Sequence, residues 1–250
     1  MVALITGASS GIGLQMAEQL AAMGHDLILV ARRRERMEEL AARLSVSVTV
    51  IPLDLAQPDA AERLLEQLGE RQVDMLINNA GFGAFGLFEE SDASRDDEML
   101  AVNVSVLHRL TKAFYTRFKQ RGSGYILNVA SIAGFLSGPL LAQYYASKAY
   151  VLHLSQALHE EARRTAKGVK VSVLCPGPVK TEFDAVAGVR FSLSGMSAHK
   201  VARIGIKGCL RGKRVILPGL TVKLLRFGIR FLPDWLTLRI CWHMQKRKRG

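Results

Sequence analysis

Apolar residues recur along this chain in two alternating rhythms. Short runs rich in Val, Ile and Leu lie at Val2–Ile5, Leu27–Val30, Val46–Ile51, Val73–Ile77, Tyr125–Val129, Val169–Leu174 and Val215–Leu217. Short runs of this composition predict buried strands. Between them, helical periodicity predicts helices near Ile12–Met23, Arg34–Leu44, Asp59–Leu68, Met99–Gln120 and Tyr144–Lys167. Alternation of this kind builds an α/β fold: a doubly wound, seven-stranded parallel sheet with helices on both faces. Its crossovers should be right-handed, and ligands should collect at the carboxyl ends of the strands.

No internal repeat or low-complexity linker interrupts residues 1–217, which predict a single domain. Residues 218–250 have a different character. Leu220–Leu232 mixes apolar residues with Lys223, Arg226 and Arg230 on one helical stripe. Pro233-Asp234 breaks that pattern and starts a second helix containing Trp235 and Trp242, before Lys246-Arg-Lys-Arg249. The segment predicts a basic amphipathic extension.

Composition sharpens this division. With 250 residues, 49% of them hydrophobic, the chain is large enough to bury one substantial core, which excludes disorder. The net charge of +12 sits almost wholly at one end: residues 200–250 hold fourteen Lys and Arg against one acid, Asp234. The first 199 residues hold twenty basic and twenty-one acidic residues. Cys175, Cys209 and Cys241 show no paired spacing, which suits a reducing, cytoplasmic setting. Neither a cleaved leader nor a membrane-spanning run is expected. The six histidines (25, 108, 153, 159, 199 and 243) form no ligand spacing, so no metal is expected.

The chemistry begins directly after the first strand, at Thr6-Gly7-Ala8-Ser9-Ser10-Gly11-Ile12-Gly13. Glycines there let the backbone approach a pyrophosphate, and the helix that follows offers free N–H groups and a favourable dipole. A literal G-x-G-x-x-G at Gly81–Gly86 opens no evident helix and reads as a loop beside the substrate. Tyr144 and Lys148 stand four apart on a helix and so share a face. An ammonium beside the phenol should lower its pKa towards the working range. Tyr145, three residues from Lys148, and Ser147 are rivals on spacing alone. Ser131 ends a strand, where it serves equally well as a turn cap.

Taken in order, Thr6–Gly13, Asn78-Asn79-Ala80-Gly81, Asn103, Ser131, Tyr144-x-x-x-Lys148 and Pro176-Gly177-Pro178-Val179-Lys180-Thr181 resemble the short-chain dehydrogenase/reductase family over residues 1 to about 217. The resemblance implies a Rossmann-type fold and hydride transfer between a nicotinamide and a carbonyl or alcohol. It makes Tyr144 the general acid/base and puts Lys148 on the ribose hydroxyls. Ser131 would bond the substrate oxygen, and Asn103 would help anchor a proton-relaying water. It gives the cofactor to Gly7, Ser9, Ser10, Gly11, Ile12, Gly13, Asp54, Leu55, Asn79, Ala80, Gly81, Pro176, Gly177, Val179 and Thr181. Relatives that prefer NAD place an acid at the end of the second strand. Here Ala31 is followed by Arg32 and Arg33, which favours NADP(H), although Ser10 stands where some NADP-linked relatives carry a second basic residue.

The segment from Thr181 to His199 resembles the family's substrate lid. Phe82, Phe85, Phe135, Leu136, Leu140 and Phe183 predict an apolar pocket for a ketone, aldehyde or acyl chain, with Lys180 and Arg190 as candidates to catch a carboxylate. Apolar Phe114, Phe118, Val151 and Leu154, on helices that pair in the family, predict a homodimer or homotetramer. Two readings of the extension stay open: peripheral contact with an anionic membrane, or packing back on the fold. Nucleic-acid binding is not expected. The alternative to an enzyme is an NADP(H)-binding sensor or scaffold without turnover, which would not need both Tyr144 and Lys148.

Overall fold

The computed structural model describes residues 1–183, 187–188 and 195–246. Seven strands form one fully parallel sheet in the order β3-β2-β1-β4-β5-β6-β9. They are β1 (Val2–Thr6), β2 (Asp26–Ala31), β3 (Val48–Pro52), β4 (Met75–Asn78), β5 (Gly124–Val129), β6 (Val169–Leu174) and β9 (Val215–Ile216). The expected sheet is present with small shifts at strand ends. The chain runs outward from β1 to β3, returns to β4 and proceeds the other way, so the switch point falls between β1 and β4. Ligand crevices form there because loops leave in opposite directions.

Helices cover both faces of the sheet, as two separate apolar clusters on its two sides imply. They are α1 (Gly11–Ala22), α2 (Arg34–Ala41), α3 (Ala60–Leu68), α4 (Ala93–Leu100), α5 (Leu107–Arg121), α6 (Ala142–Thr165) and α7 (Ala198–Leu210). α3 buries Ala60, Ala61, Leu64 and Leu68 along one stripe, the spacing that sets a helix flat on a sheet. Burial of a side chain such as Leu64 stabilises the fold by roughly 1.5–3 kcal/mol. Phe114, Phe118 and Val151 lie in this interior and not on an outer face, which removes most of the sequence basis for subunit pairing through α5 and α6.

A π-helical turn, Ala101–Val106, joins α4 to α5. Such a turn adds a residue and re-aims the side chains around it. It carries Asn103, which is fully buried. Two short strands, β7 (Val179–Lys180) and β8 (Met196–Ser197), pair in parallel and pin together the two ends of the expected lid. The lid's residues 184–186 and 189–194, Arg190 among them, lie outside the described residues, as do Arg247–Arg249.

A buried polar chain fixes the catalytic half of the sheet. Asn78 Nδ2 donates to Asn128 Oδ1 at 2.9 Å and to Thr111 Oγ1 at 3.0 Å. Asn128 Nδ2 donates to Ser155 Oγ at 3.0 Å, linking β4 and β5 to α5 and α6. Replacing Asn128 by Ala strands donors and acceptors that no water reaches. It is expected to lower the unfolding free energy by about 1–3 kcal/mol, read as a drop in the urea midpoint at unchanged slope.

The extension forms two helices, α8 (Leu220–Ile229) and α9 (Asp234–Lys246), which fold back towards the carboxyl ends of the strands. The Arg226 guanidinium lies 4.9 Å over the Phe135 ring, and Gln245 Nε2 donates to the Tyr145 hydroxyl at 2.8 Å.

Candidate active site

The first strand turn places the glycine loop. Gly7 adopts φ +66, and a Cβ there would stand 2.9 Å from Ala80 Cα, so only glycine lets the loop close on the β4 turn. A Cβ at Gly13 would collide with the Gly7 carbonyl oxygen, which draws α1 tightly under the loop. The first turn of α1 carries no acid, and the Ser10 side chain does not cap it. Its N–H groups and dipole therefore stay available to an anion. Thr6 Oγ1 accepts from the Asn79 and Ala80 N–H groups at 3.0 Å each, binding this loop to the next.

The turns after β1, β2, β3, β4, β5 and β6 open into one cleft of about 430 Å³. That volume falls in the range of cofactor and small-molecule pockets. Every residue expected to hold the dinucleotide lines it except Gly13, which packs beneath. At one end, Arg32 and Arg33 follow Ala31, and Asp54 Oδ1 holds the Ala56 N–H at 3.0 Å. Arg33 already has partners: Nη2 donates to Ser9 Oγ at 3.2 Å and Nη1 to Glu182 at 2.8 Å. Glu182 also accepts from Arg36, and these two guanidinium groups hold its carboxyl down to about 2. Glu182 adjoins Thr181 in the quoted motif, yet nothing in the sequence paired it with residues 146 and 149 positions away.

At the other end stand the reacting groups. Ser131 Oγ accepts from the Ala133 N–H at 3.1 Å and lines the cleft with Tyr144, so it both caps a turn and faces the site. Lys148 is 4% exposed; its Nζ donates to the Val129 carbonyl at 3.1 Å and lies 5.8 Å from the centre of the Tyr144 ring. Tyr144 departs from expectation. Burial pushes its phenol up to about 12, with the Ser131 hydrogen bond opposing, instead of down. The same burial lowers Lys148 to about 8. Withdrawal from water is the largest cause for both groups, because the charged form of each has lost its solvent.

Asn103 does not line the cleft. Its Nδ2 donates to the Phe82 carbonyl at 2.9 Å and to Ser147 Oγ at 3.1 Å, while its Oδ1 accepts from the Phe82 N–H at 3.1 Å. It therefore holds the Gly81–Gly86 loop against α6, and Ser147 is a strut and no rival to Tyr144. That loop does lie beside the site, with Gly83 against Tyr144 and Phe183.

The apolar pocket is partly as expected. Phe82 and Phe183 line the main cleft, with the Phe183 ring 5.3 Å from Tyr144. Phe85 and Leu140 line an adjoining cavity of about 690 Å³. Leu140 adopts φ 65, a conformation a leucine holds only when its surroundings dictate it. Phe135 and Leu136 line neither space, nor does Lys180. Arg95, Glu98 and Trp242 do, and no pattern in the sequence marked them. Among the described residues no His, Cys, Asp or Glu cluster suits a metal.

A model of the short chain dehydrogenase family matches residues 1–188. The chain belongs to that family. A 7beta-hydroxysteroid dehydrogenase of Clostridium sardiniense is 33% identical over 182 residues, 71% of this chain and 69% of its own length. A short-chain dehydrogenase from Sphingobium yanoikuyae in complex with NADPH superposes with a TM-score of 0.82 at 34% identity, covering 93% of this chain and 96% of its own. A family member from Burkholderia phymatum in complex with NAD gives 0.80 at 27% identity, covering 90% and 91%. This short-chain dehydrogenase is thus an oxidoreductase of a family that uses nicotinamide dinucleotides.

Proposed function

We propose that this enzyme interconverts an apolar carbonyl and its alcohol with NADP(H), using Tyr144 as the proton-transferring group. One observation carries the reading. The Tyr144 ring, with Lys148 Nζ 5.8 Å from its centre, lines the same cleft as Ser131, the glycine loop and the two arginines. The residues suit a dinucleotide: close backbone approach at Gly7 and Gly13, an uncapped helix start for the phosphates, and Ala31 in place of an acid at the end of β2. When bound, the nicotinamide supplies or accepts the hydride. Ser131 positions the substrate oxygen, and Tyr144, protonated across the working range, donates to that oxygen during reduction. Lys148 holds the ribose hydroxyls through its ammonium. Asn103 keeps the Phe82 loop closed on α6, so its place in proton relay is through the frame it maintains. Support for an apolar substrate comes from Phe82, Phe85, Leu140 and Phe183 and from the steroid relative.

The lysine sets a pH limit. Its folded-state pKa of about 8 lies below the ordinary value, so it is charged below that pH and loses its proton above it. NADPH capture, measured as kcat/KM for NADPH on the free enzyme, is expected to fall up to about tenfold per pH unit above the transition. Lys148→Met should give a low, flat profile. A flat profile in the unmodified enzyme from neutral to strongly alkaline pH contradicts the assignment.

The same reading takes the enzyme as a homodimer or homotetramer, now resting on the family alone. Sedimentation at micromolar concentration should give a multiple of the 27.5 kDa chain, and a monomer would count against it.

A further inference from the structure

Among the described residues, exposed large apolar side chains gather on α8 and α9. Leu220, Leu224, Phe227 and Phe231 stand four, three and four apart, which stacks them into one stripe down α8 and its C-terminal turn. Leu220 is 71% exposed, Phe227 66% and Phe231 68%. On α9, Trp235, Leu238 and Trp242 continue the same kind of stripe, Trp235 being 59% exposed with Arg239 5.4 Å over its ring. A monomer seldom leaves so much aromatic surface in water without a use for it.

The inner faces of the two helices are engaged elsewhere. Val222 abuts Gly177 in the cofactor loop, Arg226 covers Phe135, and Gln245 holds Tyr145 in the cleft wall. Packing on the fold therefore accounts for one face only. Beside the outer stripe, Lys223 and Arg230 stand one above the other at i and i+7, both exposed. Residues 218–250 carry eight Lys and Arg against Asp234, while residues 1–199 carry one more acid than base. Six further Lys and Arg with no acid stand at residues 200–217, so positive charge is concentrated in the last fifth of the chain, which includes the apolar stripes. Acids Glu89, Glu90 and Asp92 line the second cavity beside Trp242 and oppose lipid contact there, which bounds the patch to the helices. Among the described residues no helix is long and apolar enough to cross a membrane, so the fitting geometry is a helix lying in the surface.

We propose that α8 and α9 dock the enzyme on an anionic lipid surface through the Leu220–Phe231 stripe and through Trp235 and Leu238 of α9. Resting on the carbonyl-reductase reading, the docked state brings the apolar cleft beside the layer in which an apolar carbonyl dissolves. A second copy of the chain is the competing occupant, but the concentrated positive charge would repel its own image across a two-fold axis.

The test is co-sedimentation of the full chain with vesicles of phosphatidylcholine alone or doped with phosphatidylglycerol. Binding is expected only to the doped vesicles, and molar salt should abolish it. Each basic residue near such a surface contributes roughly fivefold to partitioning, so Lys223→Ser with Arg230→Ser should weaken binding about 25-fold. Phe227→Ser with Phe231→Ser should abolish binding at unchanged turnover of a small water-soluble aldehyde. Intact protein that ignores both vesicles overturns the proposal. So does a dimer that Phe227→Ser with Phe231→Ser converts to monomer without any vesicle binding. Vesicle binding by protein that reduces no carbonyl upholds docking and removes the reductase reading instead.

Discussion

Tyr144→Phe is expected to lower kcat by roughly 10²–10⁴-fold while NADPH affinity changes by less than about threefold. The substitution removes one oxygen, and with it the proton that passes to the substrate. The ring stays, with its packing against Phe183 and its place above Lys148, so the dinucleotide half of the cleft keeps its shape. Tyr145→Phe is the control. Its hydroxyl faces Gln245 on α9, and losing that bond should cost about 1 kcal/mol of stability with little effect on turnover. Reversed effects would give the acid's role to Tyr145. An equal loss in both would point to a collapsed pocket, and near-ultraviolet circular dichroism separates that case.

Cofactor choice should respond as strongly. Arg32→Ala is expected to weaken NADPH by about tenfold to a hundredfold and NADH hardly at all, since a charge-assisted phosphate bond is worth ~1.5–3 kcal/mol. Ala31→Asp puts a carboxylate at the end of β2 and should invert the preference by repelling a 2′-phosphate. Arg33→Ala should behave differently. That side chain also ties Ser9 of the glycine loop to Glu182, so its loss should weaken both cofactors. Fluorescence titrations giving the same dissociation constants for NADPH and NADH in the unmodified enzyme would end the NADP(H) assignment.

The sheet was legible because buried parallel strands are rich in Val, Ile and Leu, and each run from Val2–Ile5 to Val215–Leu217 is so, although polar residues such as Ser47, Thr49, Lys170 and Ser172 interrupt some of them. The helices were less so. Ala93–Leu100 is polar on nearly every side and is started by Asp92, whose carboxylate caps the Ser94 N–H, a signal too short to stand out. Ala198–Leu210 contains Gly205 and Gly208, poor helix formers that are present because Leu174 and Ile216 of the sheet fill the space a Cβ would need. Likewise no periodicity announces the π turn at Asn103.

For the site, the residue types were readable and their surroundings were not. Tyr144 and Lys148 could be placed on one face, but the direction of the tyrosine's shift depends on burial that forms only when β5, α6 and the Phe82 loop close together. Phe135 and Leu136 are as apolar as Phe183; only the fold turns them away from the cleft. Gln245 reaches Tyr145 from 100 residues away, a contact no local pattern encodes.

The most direct test is NADPH oxidation against carbonyls graded in chain length and charge, run with the unmodified enzyme and with Tyr144→Phe. Turnover should appear with apolar ketones, aldehydes or acyl-chain substrates, decline as charge is added, and vanish in the Tyr144→Phe enzyme. Tight NADPH binding without turnover on any member of the panel would contradict catalysis and make the protein a cofactor-binding sensor.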